Sequence, residues 1–222
     1  MKFLFPSILL IMSLINSAYA GVIIGGTRVI YDEGKTNVDI SVQNPDEVPY
    51  LIQSWIDGVN NKSQSNFTIT PPLFKLNGEQ SNSLRIFLTD NTLPNNKESL
   101  FWLNIKTIPA SKRLENSLQI AFKTQMKLIY RPSSLKNVDF YQEQKKLAWA
   151  KSNNEIVVNN PTPYFINFQQ IMFNGIKVED VTYAAPFSTA KFKVKNNDRT
   201  GTVSWNIIND FGAITDTEEQ KI

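Results

Sequence analysis

The chain contains no histidine and no cysteine. That removes the imidazole base, thiol chemistry, disulfides and the common zinc and copper ligands together. What remains for polar chemistry is 20 Asp+Glu against 23 Lys+Arg. A glycosidase would need two opposed carboxylates, and nothing in the sequence pairs acids in that way. The most organised stretch is 116–132, N-S-L-Q-I-A-F-K-T-Q-M-K-L-I-Y-R-P. Leu118, Ile120, Phe122, Met126, Leu128 and Tyr130 share one parity, while Gln119, Lys123, Gln125, Lys127 and Arg131 take the other. Period two is the mark of a β-strand, whose successive side chains point to opposite faces. A strand usually runs about 5–6 residues, and this pattern runs more than twice as far. A strand that outruns its sheet offers backbone hydrogen-bonding groups and alternate apolar side chains to something else.

The elements that must hold this stretch read as all-β. Alternating runs at 27–31, 37–43, 50–57, 67–70, 82–89, 100–106 and 117–131 are separated by clusters of Gly, Pro, Asn and Asp. A second series follows at 147–151, 155–159, 164–173, 190–195 and 202–208. That count and spacing fit two antiparallel sandwiches of about 100 residues each. Residues 139–151 come nearest to a helical pattern and are ambiguous. Pro132 has no N–H and restricts its neighbour, so it ends the long strand. We therefore expect a domain at 21–140 and another at 141–222, joined without a long linker and so meeting at a cleft.

Residues 1–20 read as a signal peptide, with Lys2 as the positive region, an apolar run from 3 to 15, and Ala18-Tyr19-Ala20 as a small-x-small cleavage site. The apolar run is short for a membrane span of about 20 residues. The formal net charge of +3, one less once Lys2 is removed, is too balanced to suggest nucleic acid as a partner. With no disulfide available, each domain must be stabilised by its core alone.

Several motifs in order carry a family resemblance: Gly21-Val22, Thr27-Arg28-Val29-Ile30-Tyr31, Pro49-Tyr50-Leu51-Ile52-Gln53-Ser54-Trp55, Thr70-Pro71-Pro72-Leu73-Phe74-Lys75-Leu76, Leu84-Arg85-Ile86, Leu93-Pro94 and Lys97-Glu98-Ser99-Leu100-Phe101-Trp102-Leu103-Asn104. Leu118-Gln119-Ile120-Ala121, Met126-Lys127-Leu128-Ile129-Tyr130-Arg131-Pro132, Asn160-Pro161-Thr162-Pro163-Tyr164 and Ile208-Asn209-Asp210-Phe211-Gly212-Ala213 complete it. Together they resemble the periplasmic chaperones of the chaperone–usher pathway, such as those for P and type 1 pili.

The resemblance implies two immunoglobulin-like β-sandwich domains forming a boomerang with an interdomain cleft. It also implies a periplasmic protein that binds pilin subunits by donor-strand complementation, caps their groove and delivers them to an outer-membrane usher. It implies Leu118, Ile120 and Phe122 as the residues donated to the subunit groove. On pattern alone these three would face their own core, as the apolar face of an alternating strand usually does. The resemblance further implies Arg28 and Lys127 as the anchor for the subunit's C-terminal carboxylate. Glu98, Arg131 and Asp210 would form an ion network between the domains, and Pro49 would lie at an usher contact. No cofactor, metal or nucleic acid is implied. A homodimer that hides its donor strand is a further partner the family allows. The short stretch 109–117 and the absence of a cysteine pair resemble the short-loop branch that builds rod-like pili. A fibre subunit or adhesin with sandwich domains is the alternative from another class.

Overall fold

The computed structural model describes residues 21–58, 66–110, 118, 120–195, 198 and 200–222, so the predicted leader lies outside the described residues. The first sandwich is built from β1 (Ile23–Ile24), β2 (Arg28–Asp32), β3 (Val38–Gln43), β4 (Tyr50–Asp57), β5 (Phe67–Thr70), β6 (Leu73–Leu76), β7 (Ser81–Leu88), β8 (Ser99–Pro109) and β9 (Phe122–Arg131). One sheet has the order β1-β3-β7-β5, the other β2-β9-β8-β4-β6. Alternation explains the packing. In β3, Ile40 and Val42 point inward between exposed Asp39, Ser41 and Gln43. In β4, Tyr50, Ile52, Ser54 and Ile56 are buried, and Leu51 and Gln53 are exposed. The inward residues of both sheets form one core, closed by an edge-to-face chain from Tyr31 through Phe67 to Phe101.

β8 breaks the alternation because both of its faces are covered near its start. Phe101, Leu103 and Ile105 face the core, while Leu100 on the other face packs with Ile129 and with Phe165 from the second sandwich. This small apolar cluster is where the two sandwiches meet.

The connection 133–146 contains a 3-10 turn, the four-residue helix α1 (Phe140–Glu143) and a second 3-10 turn. The ambiguous pattern after Asp139 is thus a short helix, which Asp139 caps by accepting the Tyr141 N–H. The second sandwich holds β10 (Ala148–Ser152), β11 (Glu155–Asn160), β12 (Ile166–Phe173), β13 (Ile176–Lys177), β14 (Tyr183–Ala184), β15 (Ser188–Lys193), β16 (Thr202–Ile207) and β17 (Glu218–Lys221). Its sheets run β10-β11-β15 and β13-β12-β16-β17, with β14 also pairing β12. Trp149, Phe168, Phe192 and Trp205 interlock at the centre of its core. The sequence pattern finds most of the long strands within a few residues and misses the two-residue strands β1, β13 and β14, too short to show a period, and the four-residue strands β6 and β17.

Candidate functional site

The long strand is shorter than its sequence pattern. β9 begins at Phe122, with Leu118 and Ile120 outside it. The pairing with β8 runs from Ser99↔Tyr130 to Thr107↔Phe122. Continued by two residues, it would set Ile120 opposite Pro109, which has no N–H to give to the ladder. On the other side, β2 pairs with β9 only from Arg28↔Lys127 to Asp32↔Arg131. The edge of β9 from 122 to 126 therefore has no strand beside it among the described residues.

That overhang decides where the apolar side chains go. Met126, Leu128 and Tyr130 lie in the core. Leu118, Ile120 and Phe122 share their parity but are 85%, 54% and 61% exposed. The parity is kept apart from polar Thr124 and buried Ile129, yet the first half of the stretch lies outside the core that covers the second. Residues 111–117 and Gln119 lie outside the described residues, and with them most of the short loop.

At the covered end of β9 the parallel pairing sets Arg28 directly opposite Lys127. Both project from the outer face toward the second sandwich. The Lys127 ammonium donates to Asn167 Oδ1 and lies 4.5 Å from the centre of the Tyr183 ring. Arg28 Nη1 donates to the Ile208 carbonyl at 3.2 Å, and its buried Nε has no partner among the described residues. Burial, followed by the neighbouring Arg28 charge, lowers the Lys127 ammonium to about 8. Burial also lowers Arg28, partly offset by Asp210. Two cations held side by side and partly dehydrated are short of negative charge, and a carboxylate would supply it.

The second cluster joins the sandwiches. Arg131 is 4% exposed and Glu98 2% exposed. Arg131 Nε donates to Glu98 Oε1 at 2.8 Å, and Nη2 lies 2.7 Å from the same oxygen. Its Nη1 and Nη2 also meet the two oxygens of Asp210, Nη2 at 2.9 Å. Glu98 reaches across as well: its Oε2 accepts the Phe165 N–H at 2.7 Å, and its own N–H donates to the Pro163 carbonyl at 2.9 Å. Burial pushes Glu98 up to about 7 against the pull of Arg131 and the Phe165 N–H. With both oxygens accepting charge-assisted or backbone bonds, Glu98 serves here as a carboxylate. Burial opposes the Arg131 charge, but Asp210 and Glu98 outweigh it, so Arg131 holds its proton more tightly than usual. Phe140 and Tyr164 flank the guanidinium, each about 5.7 Å from it.

Asp210 is aimed by its own turn. Asn209 Oδ1 accepts the N–H groups of Phe211 and Ala213, and Gly212 takes a φ of 82°, which a Cβ would strain. Asn209 stands within a motif of the resemblance but carries no expected role from it, and Asn167 stands outside every motif. Asn167 was visible as a lone amide in the buried run Ile-Asn-Phe, but only the fold brings it to Lys127.

Residues 21–136 match the family described as pili and flagellar-assembly chaperone, PapD N-terminal domain, and residues 142–219 match the pili assembly chaperone PapD, C-terminal domain. The chaperone protein FocC of Escherichia coli is 38% identical over 93% of this chain and 92% of its own length. The chain belongs to the PapD family of pilus-assembly chaperones.

Solved structures agree with that assignment. The Salmonella enterica SafA pilin in complex with the SafB chaperone matches with a TM-score of 0.85 at 30% identity, covering 93% of this chain and 99% of the other. The periplasmic chaperone SfaE matches with 0.79 at 36% identity, covering 90% and 98%. The family is one of periplasmic chaperones rather than enzymes or fibre subunits, and this chaperone has its two-domain β-sandwich fold. Pro49 stands just before β4, half-buried, and its carbonyl accepts the Ala110 N–H at 2.8 Å. Exposed Val48 and Leu51 flank that position in the chaperone.

Proposed function

We propose that this chaperone completes pilin subunits through the overhanging half of β9 and hands them to an outer-membrane usher. The observation that carries this reading is the unpaired edge at 122–126, with exposed Phe122 at its start, exposed Leu118 and Ile120 before it, and the cation pair Arg28–Lys127 after it. An open edge offers ladder hydrogen bonds, and alternate side chains fill a groove, as in β-augmentation generally. Full burial of each apolar residue would contribute roughly 1.5–3 kcal/mol. The subunit's terminal carboxylate would then lie between Arg28 and Lys127, which fixes where the added strand starts.

In this reading Glu98, Arg131 and Asp210 set the angle between a domain at 21–140 and one at 141–222. Two separate cores support a division into two domains, although Phe140, with Leu135 and Val138 beside it, packs into the second core. Pro49 and its exposed neighbours are the proposed usher contact. No metal, nucleotide or other cofactor enters, because strand exchange itself supplies the free energy. A free homodimer covering the apolar overhang would protect it between clients.

Export by a signal peptide cleaved before Gly21 fits the same scheme. The Gly21 nitrogen lies 3.1 Å from Asp46 Oδ2, which also accepts the Tyr50 hydroxyl at 2.7 Å. Cleavage at that bond would turn the nitrogen into an ammonium facing a carboxylate.

The test is recovery of pilin from periplasmic extracts with tagged wild-type protein, identified by mass spectrometry. Arg28→Ala and Lys127→Ala should lose the subunit while keeping a folded far-ultraviolet spectrum. Undiminished recovery with the double variant would overturn the carboxylate anchor.

A further inference from the structure

The outer face of the β2-β9-β8-β4-β6 sheet continues well past the cation pair, and its charges are not balanced. Register places Lys123 of β9 directly opposite Lys106 of β8. Like charges in that cross-strand position repel and weaken the sheet. Neither lysine meets a carboxylate within ion-pair distance among the described residues. The repulsion is thus not offset by an ion partner of either lysine among the described residues.

The nearby acid is already engaged. Asp57 Oδ2 accepts from Trp55 Nε1 at 3.1 Å and from Asn104 Nδ2 at 2.9 Å. Gln125 Nε2 in turn donates to Asn104 Oδ1 at 3.0 Å. This chain of bonds crosses β4, β8 and β9 and forms a fixed polar floor. It also holds the Trp55 indole where the Lys123 ammonium sits 5.2 Å from the ring. Lys123 is thus positioned, not merely solvated, and it shares its face and strand with Lys127. Four steps along the strand separate the two, about 14 Å at roughly 3.4 Å each.

We propose that this face is a second docking surface, which takes an acidic patch on the body of the subunit held in the cleft. It rests on the donor-strand reading above. Continuity with the Arg28–Lys127 pair places the surface beside the captured subunit. The unneutralised lysines specify the complementary charge. Such a field acts first on encounter: it attracts the partner before the strand is exchanged, so it governs association rate and salt dependence more than dissociation.

The test uses the pilin that co-purifies with the chaperone, denatured in urea and diluted into excess chaperone, with capture followed by stopped-flow fluorescence. Lys106→Gln combined with Lys123→Gln should slow capture about fivefold at low ionic strength, with the difference vanishing near 0.5 M salt. Lys123→Glu should slow it further. Dissociation should stay within about twofold of wild type, and the melting temperature should change little, since the repulsion removed offsets the lost Lys123–Trp55 contact. Equal capture rates at low ionic strength would overturn the proposal. So would lysine-dependent sedimentation with phosphatidylglycerol vesicles combined with unchanged capture, which would assign the face to a lipid surface. Arg28→Ala keeps the two readings apart. Stable complexes with that variant would defeat the carboxylate anchor, whereas the low-salt rate of Lys106→Gln alone, on β8 and outside the donor edge, reports on this face.

Discussion

Arg28 and Lys127 sit directly opposite each other where β2 and β9 run parallel, two cations brought side by side by backbone pairing. Each is steadied by a neutral group of the second sandwich, Arg28 by the Ile208 carbonyl and Lys127 by Asn167. Neither contact neutralises the pair. Replacing Asn167 with Leu should leave Lys127 without its acceptor and lower client affinity by about tenfold, the worth of one hydrogen bond to a charged group. Titration of refolded subunit would show it, and an unchanged affinity would mean that Asn167 does not position Lys127.

Lys127 also predicts a pH dependence. Its ammonium is lowered to about 8 in the free chaperone. A bound carboxylate favours the charged form, so the complex holds this proton more tightly than the free protein does. Binding therefore takes up a proton above pH 8 and weakens as pH rises through that value. Between pH 7 and 9 affinity should fall about tenfold. Lys127→Arg, which stays charged, should flatten the profile between those limits. A wild-type affinity independent of pH over that range would remove Lys127 from the anchor.

The buried ion network should behave differently from an exposed one. Arg131→Ala leaves the nearly inaccessible Glu98 without its guanidinium partner, at a cost of about 3–5 kcal/mol. Asp210→Asn keeps the Glu98–Arg131 pair and acts at a side chain 22% exposed, so it should cost about 1–2 kcal/mol. Urea unfolding of both variants gives the order. Equal losses would mean that the two carboxylates share the load evenly.

Substitutions along β9 should split by position and not by residue type. Ile120→Asp, at a position 54% exposed, should leave the melting temperature unchanged and abolish client recovery. Leu128→Ala, fully buried, should cost about 2–5 kcal/mol. A collapsed Ile120→Asp variant would make Ile120 part of this domain's own core.

The turn that carries Asp210 offers one more check. Gly212 has a φ of 82°. Gly212→Ala should destabilise by about 1 kcal/mol through backbone strain, with client affinity reduced in step as Asp210 shifts. A variant as stable as wild type would mean that the turn relaxes without cost.

By itself the sequence determined that the protein is all-β, that its strands fall into two series, and that one alternating stretch is too long for its sheet. These follow from local rules: side-chain period, turn residues, and what proline cannot donate. The motifs also identified the family and picked out Arg28, Lys127, Glu98, Arg131 and Asp210 as candidates. Strand parity could not say whether Leu118, Ile120 and Phe122 face inward, because parity assigns a face and not its cover. Only the tertiary structure decided that, since the opposing sheet packs over Met126, Leu128 and Tyr130 and stops short of Phe122. In the same way, the meeting of Arg28 with Lys127, 99 positions apart by their numbering, depends on a parallel pairing that no local pattern encodes. The pairing of Lys127 with Asn167, and of Arg131 with Asp210, depends on how the two sandwiches pack against each other.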